Sequence, residues 1–137
     1  MASRVRALLV LPVLALAGCG FSAVNSCPSG LQRTHIAQLF FGRNVGGVEG
    51  VSDAEWAEFV DEEVTPRFPD GFSVTDAQGQ WRGADGAVVR ERSKVLTLVL
   101  TAKGDEAEAL DAIRVAYKTR FHQEAVLRVE TGACVGF

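Results

Sequence analysis

The run Val95-Leu96-Thr97-Leu98-Val99-Leu100 restricts the fold more than any other feature of this sequence. It is apolar, rich in β-branched residues and too continuous for a surface strand, which marks the core of a central strand running from Val88 to Thr101. A central strand needs hydrogen-bonding neighbours on both edges and a layer to cover it, so the rest of the chain has to supply both.

Three further strands and two helices are legible. His35 to Phe41, closed by Gly42, reads as a first strand. Phe72 to Arg82 alternates like a strand, and Asp76 to Gly79 reads as a bulge or turn that leaves its register open. Gly83-Ala84-Asp85-Gly86 is a hairpin signal, and Ala125 to Thr131 is the last strand. Between the first two strands, Ser52 and Glu55 form the S-x-x-E box that opens a helix, with Trp56, Phe59, Val60 and Val64 on one face. Thr65-Pro66 ends it. Asp105 is expected to cap the second helix, with Glu108 three residues on. Leu110, Ile113, Tyr117 and Phe121 make its buried stripe. The order β-α-β-β-α-β predicts an α+β ferredoxin-like sandwich, a four-stranded antiparallel sheet with two helices on one face.

The amino terminus is a separate matter. Arg4 and Arg6 precede an uncharged apolar run from Ala7 to Ala17, too short to span a bilayer and arranged as a signal peptide. It ends in Leu16-Ala17-Gly18-Cys19, a lipobox, which makes residues 1–18 a lipoprotein signal peptide and Cys19 the lipid-bearing first residue. Residues 19–33 then read as a lipidated tether, and residues 34–137 as a single domain of ordinary size. The expected location is the cell envelope, outside the cytoplasm, with the lipid on Cys19 as the membrane contact. Because Gly20 and not Asp follows the cysteine, a Gram-negative host would sort it to the outer membrane.

Loss of Arg4 and Arg6 leaves 12 Lys and Arg against 17 Asp and Glu, a net charge of −5. Nucleic acid and anionic lipid surfaces ask for the opposite sign, so neither is an expected partner. Cys27 and Cys134 remain as an even pair in an oxidising compartment. In the predicted topology the start of the first strand lies beside the end of the last, and both cysteines sit just outside those ends, so a disulfide is expected.

The strings FFGRN, VSDAEWAEFVDEEVTPRFPDGFSV, GQW, RERSKVLTLVL and AVLRVE resemble a family of uncharacterised bacterial secreted proteins and lipoproteins, over about Thr34 to Glu130. The resemblance implies no known activity. It singles out Arg43, Trp56, Arg67, Trp81, Arg90, Ser93, Lys94, Tyr117 and Arg128 as matching positions. The terminal cysteine pair departs from the family pattern and bears on stability.

No catalytic residue, metal ligand or cofactor motif stands out. The segment Gly42 to Gly50 lacks the Lys-Ser/Thr of a phosphate loop, and Asp53 and Glu55 occupy the helix terminus a phosphate would need, so it reads as a flexible loop. His35 and His122 are isolated, and His122 reads as an exposed cation at a helix end. The acidic run Asp53, Glu55, Glu58, Asp61, Glu62 and Glu63 is a solvated helix face, and Trp56, Phe59 and Tyr117 are core. The basic set Arg43, Arg67, Arg90, Arg92, Lys94, Arg120 and Arg128 is a candidate anion clamp if members converge, or separate ion pairs with neighbours such as Glu91 and Glu130 if not. Arg43, Arg67, Trp81, Arg90, Ser93, Lys94 and Arg128 are accordingly the candidate ligand-binding residues.

Period two puts Leu96, Leu98 and Leu100 toward the helices and leaves Glu91, Ser93, Val95, Thr97 and Val99 on the open face, with Gln38 and Phe40. For the last strand the same reasoning sends Leu127 and Val129 inward and Val126, Arg128 and Glu130 outward. An uncovered apolar face of this kind is expected to form a homodimer interface or a ligand wall. Two functions fit: a non-enzymatic envelope module presenting the sheet face or basic set to a protein, glycan or small anionic ligand at the membrane surface, or a small enzyme or small-molecule binder resembling dimeric α+β barrels. A deep apolar pocket would favour the second, a shallow surface the first.

Lipidation is directly testable. The intact precursor should incorporate radiolabelled palmitate and fractionate with membranes, and Cys19→Ser should do neither. Equal label in the variant would refute the assignment.

Overall fold

The computed structural model describes residues 26–101 and 104–137, so the expected signal peptide and the expected lipidation at Cys19 lie outside the described residues. In chain order the elements are β1 (Gln32–Gly42), β2 (Asn44–Val45), β3 (Val48–Glu49), α1 (Asp53–Phe59) with a π-helical turn over Val60–Val64, β4 (Ser73–Arg82), β5 (Val88–Leu100), α2 (Glu106–Phe121) and β6 (Leu127–Val135). The four long strands form one antiparallel sheet in the order β4-β5-β1-β6, so the apolar β5 is internal, as its composition demands. Both helices lie on one face of this mixed α+β domain. Among the described residues no helix is long and apolar enough to cross a membrane.

Register is continuous. β4 pairs with β5 from Ser73 opposite Thr97 to Arg82 opposite Val88, one residue to one, so the expected bulge at Asp76 to Gly79 does not form. β1 pairs with β5 from His35 opposite Leu100 to Gly42 opposite Ser93, where β1 ends. Beyond that row only β4 and β5 continue, as a two-stranded arm. Its turn closes through the Gly86 N–H donating to the Gly83 carbonyl (2.9 Å), with Gly86 at φ +83°.

The core lies between the helices and the inward rows of the two central strands. Ala37, Leu39 and Phe41 of β1 and Leu96, Leu98 and Leu100 of β5 are buried against Trp56, Phe59 and Val64 on one side and Leu110, Ile113, Tyr117 and Phe121 on the other. The π turn has a steric reason. Phe59 and Val64 are both fully buried although five residues apart, a gap that would rotate them about 140° apart on an α-helix and that the wider π turn narrows enough for both to face the core.

The last strand reverses the expected phase. Pairing sets Leu39 opposite Arg128 and Phe40 opposite Leu127, so Arg128 faces the helices while Leu127 and Val129 lie on the open face, 58% and 38% exposed. Val126, just before the strand, is buried in the core. The reason is position: β6 is an edge strand, and its inward residues meet the flank of α2. There the Arg128 guanidinium donates to the Asp111 carboxylate (3.0 Å) and pairs with Glu130. An arginine stem suits such a margin because it lies along protein while its head stays polar.

Two other expectations change. Gly42 to Gly50 is ordered, with β2 and β3 forming a small hairpin around Gly46 and Gly47 at φ +60° and +87°, the geometry of a two-residue type I′ turn. Asp105 is the first cap of α2 but makes no side-chain capping bond. Instead Glu106 accepts from the backbone N–H and hydroxyl of Thr101 (2.8 and 2.9 Å). The disulfide is present: Cys27 and Cys134 are joined with Cα atoms 5.5 Å apart. Cys134 is inside β6, opposite Arg33, because the strand runs on to Val135 and β1 begins at Gln32, beyond the expected ends of both.

His122 closes α2 in the left-handed region, φ 51° and ψ 40°, its N–H donating to the Lys118 carbonyl. A β-carbon is unfavourable there and glycine is not. Replacing His122 with Gly should therefore raise the unfolding free energy by about 0.5–1 kcal/mol in denaturant titration; a loss of stability would show that the imidazole contributes contacts that outweigh the backbone strain.

Candidate functional site

The candidate basic residues do not converge into an anion clamp. All but Arg90 are paired with acids in separate groups. Arg67 bonds the Glu63 carboxylate (2.8 Å) and carbonyl at the end of the first helical segment. Arg128 is held by Asp111 and Glu130 at the β6 edge, and Arg120 pairs with Glu62. Arg90 lies on the arm, exposed, in an open cleft of about 450 Å³ with Gln78, Gln80 and Arg92.

Arg43 and Lys94 do meet, together with Arg92, under the start of α1. Arg43 is 1% exposed. Its Nε donates to the Val51 carbonyl (2.7 Å), and its guanidinium pairs with Glu49 (3.2 Å) and Asp53 (3.1 Å). Lys94 contacts Asp53 (2.9 Å) and Asp76 (2.7 Å), and Arg92 contacts Glu49 (3.3 Å). Three cations thus face three carboxylates, which leaves no net positive charge to attract an anion. The Lys94 hydrogen bond holds Asp53 below the ordinary carboxylate range, with Arg43 adding to the effect. Asp76 is lowered chiefly by the Lys94 hydrogen bond, and Lys94 is raised by Asp76 and then Asp53. This cluster is a clasp joining β1, the β2–β3 hairpin, α1, β4 and β5.

Trp56 and Tyr117 are core. Phe41 stacks at 5.1 Å from Trp56 and 4.7 Å from Tyr117, whose hydroxyl donates to the Gly42 carbonyl (2.8 Å). Burial pushes the Tyr117 phenol well above its ordinary range.

The open sheet face is different in kind. Its rows are Thr75, Val95, Phe40 and Leu127; Ser73, Thr97, Gln38 and Val129; and Val99, Ile36 and Thr131. None of these is charged. At the end of the face, where β1 stops, Glu91 is fixed: Oε1 accepts from the Trp81 indole N–H (2.9 Å) and Oε2 from the Asn44 backbone N–H (3.3 Å). The carboxylate sits where a Gly42 side chain would be, since a Cβ there would meet its oxygens at 2.6 and 2.7 Å. Glu91 pairs with no cation among the described residues, contrary to the expected ion pair, because Arg90 and Arg92 point to the other face of β5. Ser93, 8% exposed, lies next on the same row, and Trp81 is 44% exposed.

Trp81 and Ser93 are candidates from the sequence, which also sets Glu91 beside Ser93 on the open face; the hydrogen bond from Trp81 to Glu91 and the places of Gly42 and Gly79 are not among its expectations. The signal was present in the hairpin. Pairing counted outward from the five-residue turn puts Gly79 opposite Glu91 and Trp81 diagonal to it on the same face.

Residues 36–137 match DUF3574, a protein family of unknown function. The chain belongs to that family. No curated protein matches it in sequence. Among solved structures it is similar to a phage SAM lyase in complex with S-methyl-5'-thioadenosine, at 18% identity and TM-score 0.58, covering 85% of this chain and 97% of the other. The same lyase in its apo state matches at 18% identity and TM-score 0.56, over 77% and 90%. CutA from Synechococcus elongatus matches at 16% identity and TM-score 0.50, over 77% and 84%. Such identities speak to fold alone, and the likeness is consistent with a ferredoxin-like fold.

The clasp makes a pH prediction. Asp53 and Asp76 have depressed folded values, so their contribution is complete above the unfolded carboxylate range near about pH 4 and is lost as pH falls through the folded values. Lys94→Met returns Asp76 toward its ordinary value and leaves Asp53 with Arg43. The variant should be less stable at neutral pH and lose less stability between about pH 4 and 2. Parallel stability curves for parent and variant in urea titrations would contradict this.

Proposed function

We propose that this protein is a lipid-anchored module of the cell envelope, built on a ferredoxin-like sandwich, which works by non-enzymatic binding through its open sheet face. One observation carries the reading: that face is uncharged apart from Glu91 at its margin and bears exposed Leu127 and Val129, while Arg43, Lys94 and Arg128 are paired with acids on the other side of the sheet. Exposed apolar groups gathered on one face are a mark of an interaction surface.

The occupant is a second copy of the same chain. Two copies of a mature protein with net charge −5 repel each other over most surfaces. The sheet face is where they meet without setting like charges together, and a two-fold pair sets the same rows against themselves. The lipid on Cys19 favours this by holding copies in one membrane. A small enzyme resembling dimeric α+β barrels has only the shared fold behind it, and a fold hosts many chemistries. The clefts lined by Gln78 to Arg92 and by Asp111 to Glu130 are open grooves, which supports binding over enclosed chemistry.

The chain from Gly20 onward keeps every described residue and the disulfide. Light scattering should report a dimer for it and a monomer for the double variant Leu127→Glu, Val129→Lys, with circular dichroism and melting unchanged because both side chains are exposed. A monomeric parent at high concentration, or a variant that still dimerises, would overturn the pairing.

A further inference from the structure

We infer that the notch formed by Glu91, Ser93 and Trp81 binds a small organic ammonium ion carrying an apolar body. Three observations meet here. The first is a held and unneutralised carboxylate. An ionised carboxylate has about four acceptor positions, and Glu91 gives one to Trp81 and one to Asn44. Both donors are neutral, so the charge stays available for a cation.

The second is a hydroxyl with no hydrogen-bond partner among the described residues. Ser93 is more than nine-tenths buried, and among the described residues its hydroxyl makes no hydrogen bond. It follows Glu91 on the same face of β5, about 7 Å further along the strand. The residue is largely enclosed but its oxygen keeps contact with solvent, since among the described residues the buried side-chain atom without a hydrogen-bond partner is Arg43 Nη1 and not this one, so the hydroxyl is open to a polar partner from outside.

The third is the shape of the floor. Gly79 is directly across from Glu91 and puts no side chain there, while Gly42, directly across from Ser93, leaves the room that the Glu91 carboxylate itself occupies. Ala77 is the other neighbour of Ser93. Past Ser93 the floor turns apolar at Val95 and Phe40. At the opposite end stands Trp81, its indole N–H turned to the carboxylate and its ring exposed, the type of ring surface that attracts a cation. A ligand matching this strip has an ammonium head on Glu91, with Ser93 as a second polar partner, and an aryl or alkyl group over Val95 and Phe40.

The notch lies wholly within one copy, so it does not require the pairing proposed above. The pair would enclose it, because the same face forms the interface.

The experiment uses the chain from Gly20 onward and 2-phenylethylammonium as the probe, read by the indole N–H resonance of Trp81, which is distinguishable from that of buried Trp56. The probe should shift that resonance saturably. Neutral 2-phenylethanol and ethylammonium, which lack the head and the body respectively, should each bind at least about tenfold more weakly. Glu91→Gln, which keeps the shape and an acceptor for Trp81, should weaken the probe by about tenfold or more, and Ser93→Ala by less. No shift of Trp81 at millimolar probe, or equal binding by Glu91→Gln with unchanged melting, would overturn the site. The Leu127→Glu, Val129→Lys variant separates the two proposals: retained probe binding in a monomer leaves the notch standing whatever becomes of the pair.

Discussion

Arg43 is a guanidinium buried immediately after the central strand β1, and the end of the molecule around it is arranged to make that burial tolerable. An uncompensated ion in such a place costs several kcal/mol after relaxation, roughly the whole margin of a small domain. Compensation comes from segments that would otherwise have no reason to be where they are. The β2–β3 hairpin folds back so that Glu49 reaches the guanidinium, and the chain between hairpin and helix turns so that the Val51 carbonyl accepts from Nε. The Arg43 carbonyl in turn accepts from the N–H groups of Gly50 and Val51. Asp53 then bridges Arg43 to Lys94, which fixes the start of α1 over β5.

Three consecutive residues carry this organisation into different parts of the fold. Phe41 points into the aromatic core beside Trp56 and Tyr117. Gly42 offers its carbonyl to Tyr117 on one side, and on the other its missing side chain makes room for Glu91. Arg43 anchors the clasp. Strand alternation alone distributes them, and the result is a separation of chemistry between the two faces of the sheet. Charge is largely gathered and cancelled on the helix side, while the open face keeps one unneutralised carboxylate at its margin and apolar, hydroxyl or amide groups elsewhere. That separation is the physical ground for reading the open face as the working surface.

Much of the fold was legible because it depends on local periodicity. The VLTLVL run placed β5 inside the sheet, Ser52 and Glu55 form the capping box, and the rows led by Leu39 and Leu96 face the helices. The phase of β6 was not legible. Val126 to Glu130 alternates apolar and polar residues weakly, and only pairing with β1 decides which row faces α2. The glycine-rich segment was read as flexible, although Val-Gly-Gly-Val carries a hairpin signal, because two-residue strands are too short to show a period. Among candidate residues, Trp81 and Ser93 lie at the proposed notch, Arg43 and Lys94 serve the clasp, and Arg67 and Arg128 sit in local ion pairs.

Sequence by itself determined the element order, the buried stripes and the arm's turn, since each rests on neighbours within a few positions. It also brought the two cysteines within reach, because the topology sets the start of β1 against the end of β6. Tertiary structure alone decided which charges meet. The partners of Arg43 and Lys94 come from β3, α1, β4 and the connection before α1, and Glu91 owes its orientation to an indole ten residues away and an amide forty-seven residues away. Hydrogen bonding and ion pairing act over a few ångströms of space whatever the distance along the chain. A charge therefore announces itself in a sequence, but its neutralisation does not.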